Sequence, residues 1–385
     1  MGVMRAEPAR MTDWAARSIG AAWRAFDLQL AAYAGLLAIL GLVMAYTNSV
    51  EQGQTVLSSG TTFVRGLMWS GIALIAFVIA TAFDYKWLKT FAWPLYLLQI
   101  ALLIATLAIG HGVGGASRWI SFGPFDFQFS ELAKILMIVV LANYLSTRQT
   151  RLGSITVILG ACVLVAPPVA LVMLQPDLGT SLVLVAILGG MLFMSGASLL
   201  WLGAIVAAVL GSLPIAWTFL HDYQKQRLLS FFNPATDTQG AGFQLHQSTI
   251  AVSAGGLTGT GLTNGIQNQL NLLPVQESDF VAAIYLEELG FSGALILLIL
   301  FAALLWRLLA SGWRSKDPFG MMFAGGLASM ILFQLVVNLG MVIGIMPITG
   351  IPLPFVSHGG ASLISLAIGL GIVQSINIRQ TRAEW

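Results

Sequence analysis

Leu272-Leu-Pro-Val-Gln-Glu-Ser-Asp279-Phe-Val closes a polar, glycine-rich interlude that runs from His221 to Gly290, the one long break in an oily chain. Outward from it in both directions the residues read as membrane helix, so the interlude alone has the length and polarity to handle a large hydrophilic substrate. Asp279 stands where the chain turns back into apolar sequence. A carboxylate at a membrane boundary is expensive to bury without a partner or a task, which marks a functional site. A helix start is the plainer reading, with the oxygens of Ser278 and Asp279 accepting free backbone N–H groups. These two residues alone do not choose between them.

The chain is 57% hydrophobic and only 9% charged, with mean hydropathy +0.85, which excludes a soluble domain. A spanning helix needs about 20 apolar residues. That measure predicts an all-α polytopic membrane protein with ten helices, near 28–47, 63–83, 90–109, 131–147, 155–174, 180–195, 198–219, 291–311, 319–343 and 360–377. The large extracellular loop, 221–290, then lies between the seventh and eighth. Ten passes put both termini on one side. Of the 18 Lys and Arg residues, thirteen fall on the termini's side, which makes that side cytoplasmic. The expected layout is a retained cytoplasmic lead-in over 1–26, a membrane domain over 27–378 and a cytoplasmic tail over 379–385, with no cleaved signal peptide.

Cys162 is the only cysteine and lies in an apolar run, so no disulfide or cysteine metal site is expected. The four histidines show no His-x-x-x-His spacing, and the short cytoplasmic loops hold no Gly-x-x-x-x-Gly-Lys phosphate cradle, which argues against a nucleotide-driven pump. No internal repeat is evident, which weighs against a transporter built from two similar halves.

Four polar clusters face the outer side. In the first, Gly115-Ala-Ser-Arg118-Trp119 precedes Gln128-Phe129-Ser130-Glu131-Leu-Ala-Lys134. Ser130 is placed to cap the fourth spanning helix, Glu131 and Lys134 to pair three apart on one face. Lys134 lies a turn inside the apolar run and should face protein or a wet cavity. In the second, Gln175-Pro176-Asp177-Leu-Gly179-Thr180 has turn chemistry, while its carboxylate suits a nearby cation, Arg118 or Lys134. The third is the long loop, with Arg227 as a surface anchor or a phosphate partner and glycines from Gly255 to Gly261 that permit close approach to a ligand. From Asp279 to Leu309 is about 45 Å of helix at 1.5 Å per residue, longer than a hydrocarbon core of about 30 Å. A break at Gly290 follows, and it would leave Glu287 and Glu288 near the same cavity mouth as Asp279. The fourth cluster, Asn338 to Gly360 with Pro347, Pro352, Pro354 and Ser357, suits a re-entrant loop lining that cavity or a stiff connector.

Read together and in order, these clusters resemble the SEDS family (shape, elongation, division and sporulation; the RodA, FtsW and SpoVE proteins), from about residue 28 to 378. The resemblance implies a ten-helix peptidoglycan glycosyltransferase that polymerises lipid II at the outer face of the bacterial cytoplasmic membrane, for cell elongation or division. It implies membrane lipids, lipid II and a class B penicillin-binding protein as partners, and no nucleic acid. It puts Asp279 in the place of the family's essential aspartate, matches Glu131 and Lys134 to its conserved helix-four pair and Arg118, Arg227, Gln247 and Ser248 to positions around the cavity, with Ser357 in the matching last cluster. Four positions depart from the family's pattern: Phe129 in the Gln-x-Ser-Glu run, Glu277 two before the aspartate, Thr260 in the glycine run and Ala361 after the paired glycines.

The chemistry suits these residues apart from any family. A sugar hydroxyl attacking an anomeric carbon needs a base, and the departing pyrophosphate needs cations. Asp279 is the candidate base or a ligand for Mg²⁺ or Mn²⁺, with Arg118, Lys134 and Arg227 toward the pyrophosphate. The rival readings are a lipid II flippase and a non-catalytic scaffold for a penicillin-binding protein.

Overall fold

A computed structural model describes residues 25–51, 58, 60–112, 118–122, 125–220, 222–232, 237, 240–270, 278–357 and 359–380. Most of the expected lead-in (1–24), the end of the tail (381–385), His221, His358 and the run 271–277 lie outside the described residues.

The chain is a polytopic all-α membrane protein. Its helices are α1 Leu28–Glu51, α2 Thr62–Ala82, the short α3 Tyr85–Thr90, α4 Ala92–Ile109, α5 Phe129–Ser146, α6 Ile155–Leu174, α7 Leu178–Met194 and α8 Leu199–Phe219. After these come α9 Asp222–Phe232, α10 Ala241–Gly255, the one-turn α11 Ile266–Gln269, α12 Val281–Arg314, α13 Pro318–Val342 and α14 Gly360–Gln380. Among the described residues eight helices are long and apolar enough to cross a membrane, and the two shorter apolar stretches Leu178–Met194 and Leu199–Gly211 fall at the sixth and seventh expected passes. Apart from α12, which starts ten residues before its expected span, the expected spans agree with the helices to within a few residues because apolar length is a local property. One departure is the connection between α4 and α5. It pairs β1 Ile120–Phe122 antiparallel with β2 Phe125–Phe127, and His111 bridges to Trp119 beside them.

Burial sorts the helices. Some 72% of the apolar window of α5, α13 and α14 is inside the protein, against 6% for α2, so α5 and α13 form the axis and α2 a flank packed on α14. Around the axis α13 packs on α12, α7 and α5, while α1 lies along α12. At the end of the bundle where α1 begins, Asp27 accepts from Arg307 Nε at 3.0 Å and exchanges backbone bonds with the Gln374 amide, which ties α12 and α14 to the start of α1.

The glycine run has a task other than the one expected. α12 breaks at Gly290, whose φ of 62° is left-handed. In an unbroken helix Phe291 and Ser292 would donate to the carbonyls of Glu287 and Glu288. Here Thr260 N and Gly261 N donate to those carbonyls, each at 3.0 Å, while Phe291 N and Ser292 N turn to Gly256 O and Leu257 O at 2.9 and 3.0 Å. The loop is spliced into the helix break, and every freed backbone group finds a partner, as a break at membrane depth requires. Contact this close leaves no room for side chains: a Cβ on Gly259 would lie 2.0 Å from Glu288 O, and one on Gly290 2.3 Å from Gly259 N. Gly255 and Gly259 approach the α12 backbone. Glu287 and Glu288 are wholly buried beneath the splice instead of lining a cavity mouth, and Glu287 Oε1 accepts from Gln267 N at 3.1 Å.

Candidate active site

Asp279 lies just ahead of α12, outside its membrane span, with part of its surface still open. Its carboxyl takes the Ser278 hydroxyl at 2.9 Å. Its backbone carbonyl is outside the α12 ladder, because Ala283 N donates to Phe280 O, and it accepts instead from Asn338 Nδ2 of α13 at 3.0 Å. The second N–H of that amide goes to Ile351 O at 2.8 Å, in the loop after α13. This loop is buried through Ile348, Ile351, Leu353, Phe355 and Val356, so it lines the interior and is no solvent-borne connector. Its Gly350, at φ +72°, sits against both charged partners of the site: a Cβ there would meet Arg227 Nη1 at 3.3 Å and Asp279 Oδ2 at 3.5 Å.

Arg227 comes from α9. The start of α10 steadies that helix through Asp237, whose carboxylate accepts from Ser230 Oγ and Gly240 N at 2.8 Å and from Gly242 N at 3.1 Å. These donors, the Gly242 N–H and the Ser230 hydroxyl foremost, hold the Asp237 carboxyl below the usual range. Arg118 stands between the His111–Trp119 bridge and the turn before α7, where Nε reaches Gln175 O at 3.3 Å and Nη2 reaches Pro176 O. Arg118, Arg227, Gln224 and Leu178 wall a cleft with Pro347, Ile348 and Thr349, about 320 Å³ of unfilled space counted out to solvent. Two guanidiniums on one small cleft make a seat for an anion of the size of a phosphate. Burial pushes the Asp279 carboxyl up from its ordinary value, Asp177 adds to that, and Ser278, Arg227 and Arg118 oppose it.

Residues 27–382 match the model of the FtsW/RodA/SpoVE cell cycle protein family. The chain belongs to this family. It is 42% identical over 308 residues to peptidoglycan glycosyltransferase MrdB of Escherichia coli (strain K12), covering 80% of this chain and 83% of the relative. It is 35% identical over 365 residues to stage V sporulation protein E of Bacillus subtilis (strain 168), covering 91% and 96%. Among solved structures, RodA, the rod shape determining protein of Thermus thermophilus, superposes with a TM-score of 0.69 at 27% identity over 93% of this chain and 98% of that one. A chain solved for the structural coordination of polymerization and crosslinking by a peptidoglycan synthase complex gives 0.75 at 30% identity, over 92% and 98%.

In this FtsW/RodA/SpoVE chain the structure brings Asp279, Arg227 and Arg118 together and takes other expected residues elsewhere. Glu131 and Lys134 pair as their spacing predicts, at 2.7 Å, but their side chains are 6% and 2% exposed. Lys134 is therefore spent on Glu131 inside the bundle instead of facing an open cavity, since a lone ammonium there would be costly. Ser130 does not cap α5, which begins two residues earlier than expected, after Gln128. Its hydroxyl takes Gln128 Nε2 at 3.0 Å. Asp177 caps α7, accepting from Thr180 N at 3.1 Å and Thr180 Oγ1 at 2.8 Å, and also holds Gln128 Nε2 at 3.1 Å, while Arg118 donates to the carbonyls beside it. Ser248 is wholly buried on α10 and bonds Val342 O at 2.8 Å, a packing pin and not a surface for substrate. Ser357 closes its own turn, accepting from Leu353 N at 2.9 Å. Gln247 is half-buried on α10. Sequence reasoning gave Gln224 no role and had Thr349 and Gly350 only as members of the last cluster. A Gln three residues before Arg227 shares its helical face, and that spacing was the one available signal for it.

Proposed function

We propose that this chain is a peptidoglycan glycosyltransferase that polymerises lipid II, a disaccharide-pentapeptide on undecaprenyl pyrophosphate, at the outer face of the cytoplasmic membrane. The observation that carries the reading is a cleft walled by two guanidiniums in a membrane bundle, with the Asp279 carboxyl beside Arg227 at Gly350. The names of the relatives support it, as MrdB is called a peptidoglycan glycosyltransferase. The bias of basic residues toward the termini's side supports cytoplasmic termini and an external cleft. A class B penicillin-binding protein is the proposed partner, supported by the similar chain from a complex that couples polymerization to crosslinking.

In the proposed step the acceptor's hydroxyl oxygen bonds to the donor's anomeric carbon, and the bond from that carbon to the pyrophosphate oxygen breaks with inversion. Asp279 takes the hydroxyl proton as general base. Arg118 and Arg227 stand against the charge that grows on the pyrophosphate. The Mg²⁺ or Mn²⁺ considered for Asp279 fits less well. Among the described residues no three His, Cys, Asp or Glu side chains gather as a ligand set, and cations flank Asp279, so the arginines are the positive charge this chain itself supplies.

Purified protein given lipid II in proteoliposomes tests the proposal. Glycan strands support it, translocated lipid without strands means a flippase, and neither means a scaffold. The pH profile adds a sign. A base works ionised, so activity falls as pH drops through the raised Asp279 value. Arg227 is one of the groups holding that value down. Arg227→Gln is expected to move the acid limb of kcat to higher pH as well as to slow the reaction, and an acid limb that stays put counts against the assignment.

A further inference from the structure

We propose that Asn338 is a positioning residue, one whose amide sets the Asp279 backbone against the loop that forms the far wall of the cleft. This rests on the glycosyltransferase reading and deepens it. Asn338 lies within α13, one of the two axial helices, and has no exposed surface. Both of its bonds run to carbonyl oxygens, Asp279 O at 3.0 Å and Ile351 O at 2.8 Å, so both come from the N–H side of the amide and use its two hydrogens. The points it joins lie 59 and 13 residues away along the chain.

The juncture needs an external tie. Asp279 belongs to no helix or strand, its carbonyl is free of the α12 ladder, and the bond of its carboxyl is to the adjacent Ser278. On the other side, Ile351 follows Gly350, whose Cα faces both Arg227 Nη1 and Asp279 Oδ2. One amide on a rigid helix thereby fixes the spacing of carboxyl, arginine and wall. The charged groups acting on Asp279 are Arg227 of α9, Arg118 beside the hairpin and Asp177 of the turn before α7. With its backbone carbonyl released from Asn338, Asp279 is free to draw its carboxyl away from Arg227, whose guanidinium meets the same Gly350 wall.

The test measures kcat, KM and the pH profile of strand formation from lipid II for full-length protein, normalised to folded protein. Asn338→Ala is expected to lower kcat on the order of 100-fold, the effect of misplacing a reacting group by about 1 Å, with KM for lipid II little changed and the acid limb displaced to higher pH. Gln334→Leu, one turn earlier on α13 and also buried, is the control. It is expected to change thermal stability without moving the acid limb. If Asn338→Ala does not fold, Asn338→Ser, which keeps a donor in less volume, carries the same test. Wild-type kcat and acid limb in the folded variant, or an equal displacement in Gln334→Leu, overturns the assignment while leaving the enzyme reading intact. A wild-type protein that makes no strands sinks the enzyme reading, and this one with it.

Discussion

Asp279→Asn is expected to reduce strand formation from lipid II by about 10²–10⁴-fold, the usual contribution of a general base, in protein that folds normally. The amide has the carboxyl's shape and keeps an oxygen for the Ser278 hydroxyl, but it takes no proton at neutral pH. Stability should hold, and the sign follows from the direction of the shift. Burial raises the Asp279 value above its unfolded one, so the ionised carboxyl costs stability once pH exceeds the unfolded value, and a neutral amide removes that cost. Asp279 belongs to the transition state more than to substrate binding in this scheme, so kcat should fall with KM for lipid II nearly constant. Steady-state kinetics with a thermal melt on the same preparation check both halves. Near wild-type kcat in folded Asp279→Asn would remove the base from the mechanism.

Gly259→Ala should cost about 3–5 kcal/mol and sharply reduce the yield of monodisperse protein. Its φ of +81° penalises any L side chain by roughly 1–2 kcal/mol. Its Cβ would also lie 2.0 Å from Glu288 O, a backbone atom that cannot swing aside. Relief means opening the splice, and each buried backbone bond left unmade there costs about 1–3 kcal/mol. Gly290→Ala should behave alike from the other side of the contact. Gly203→Ala is the comparison: the position is mid-helix in α8 with open space where the Cβ would stand, so it should be neutral or slightly stabilising. Melting temperatures in detergent separate the two classes. Equal behaviour of Gly259→Ala and Gly203→Ala would show that the splice does not hold the glycine run against the α12 break.

The two predictions depend on different kinds of information. Asp279 could be suspected from the sequence because a carboxylate at the edge of apolar sequence needs a reason to be there. Gly259 could not be read that way. Its clustering with Gly255, Gly256 and Gly261 announced close approach, and nothing in the run said to what. The Gly290 break was legible from helix length alone, yet its carbonyls had to be followed to Thr260 and Gly261 before the glycines acquired a purpose. Lys134 is a further case. Its spacing from Glu131 gave the pair, but whether the pair faced water or protein depended on the helices packed around α5, and they bury it.

By itself the sequence determined the membrane class, the places of the spans, the break at Gly290 and the polar clusters from which the SEDS likeness was drawn. All of these follow from apolar length, residue spacing and order along one segment. Only the tertiary structure decided which polar residues gather at the site. Asp279, Arg227, Arg118, Asn338 and Gly350 come from five separate segments, and hydrogen bonds and charge act over a few ångströms of space whatever the distance along the chain. That is why two arginines lie near enough to act on the carboxyl while the buried Lys134 and Ser248 turn to partners inside the bundle.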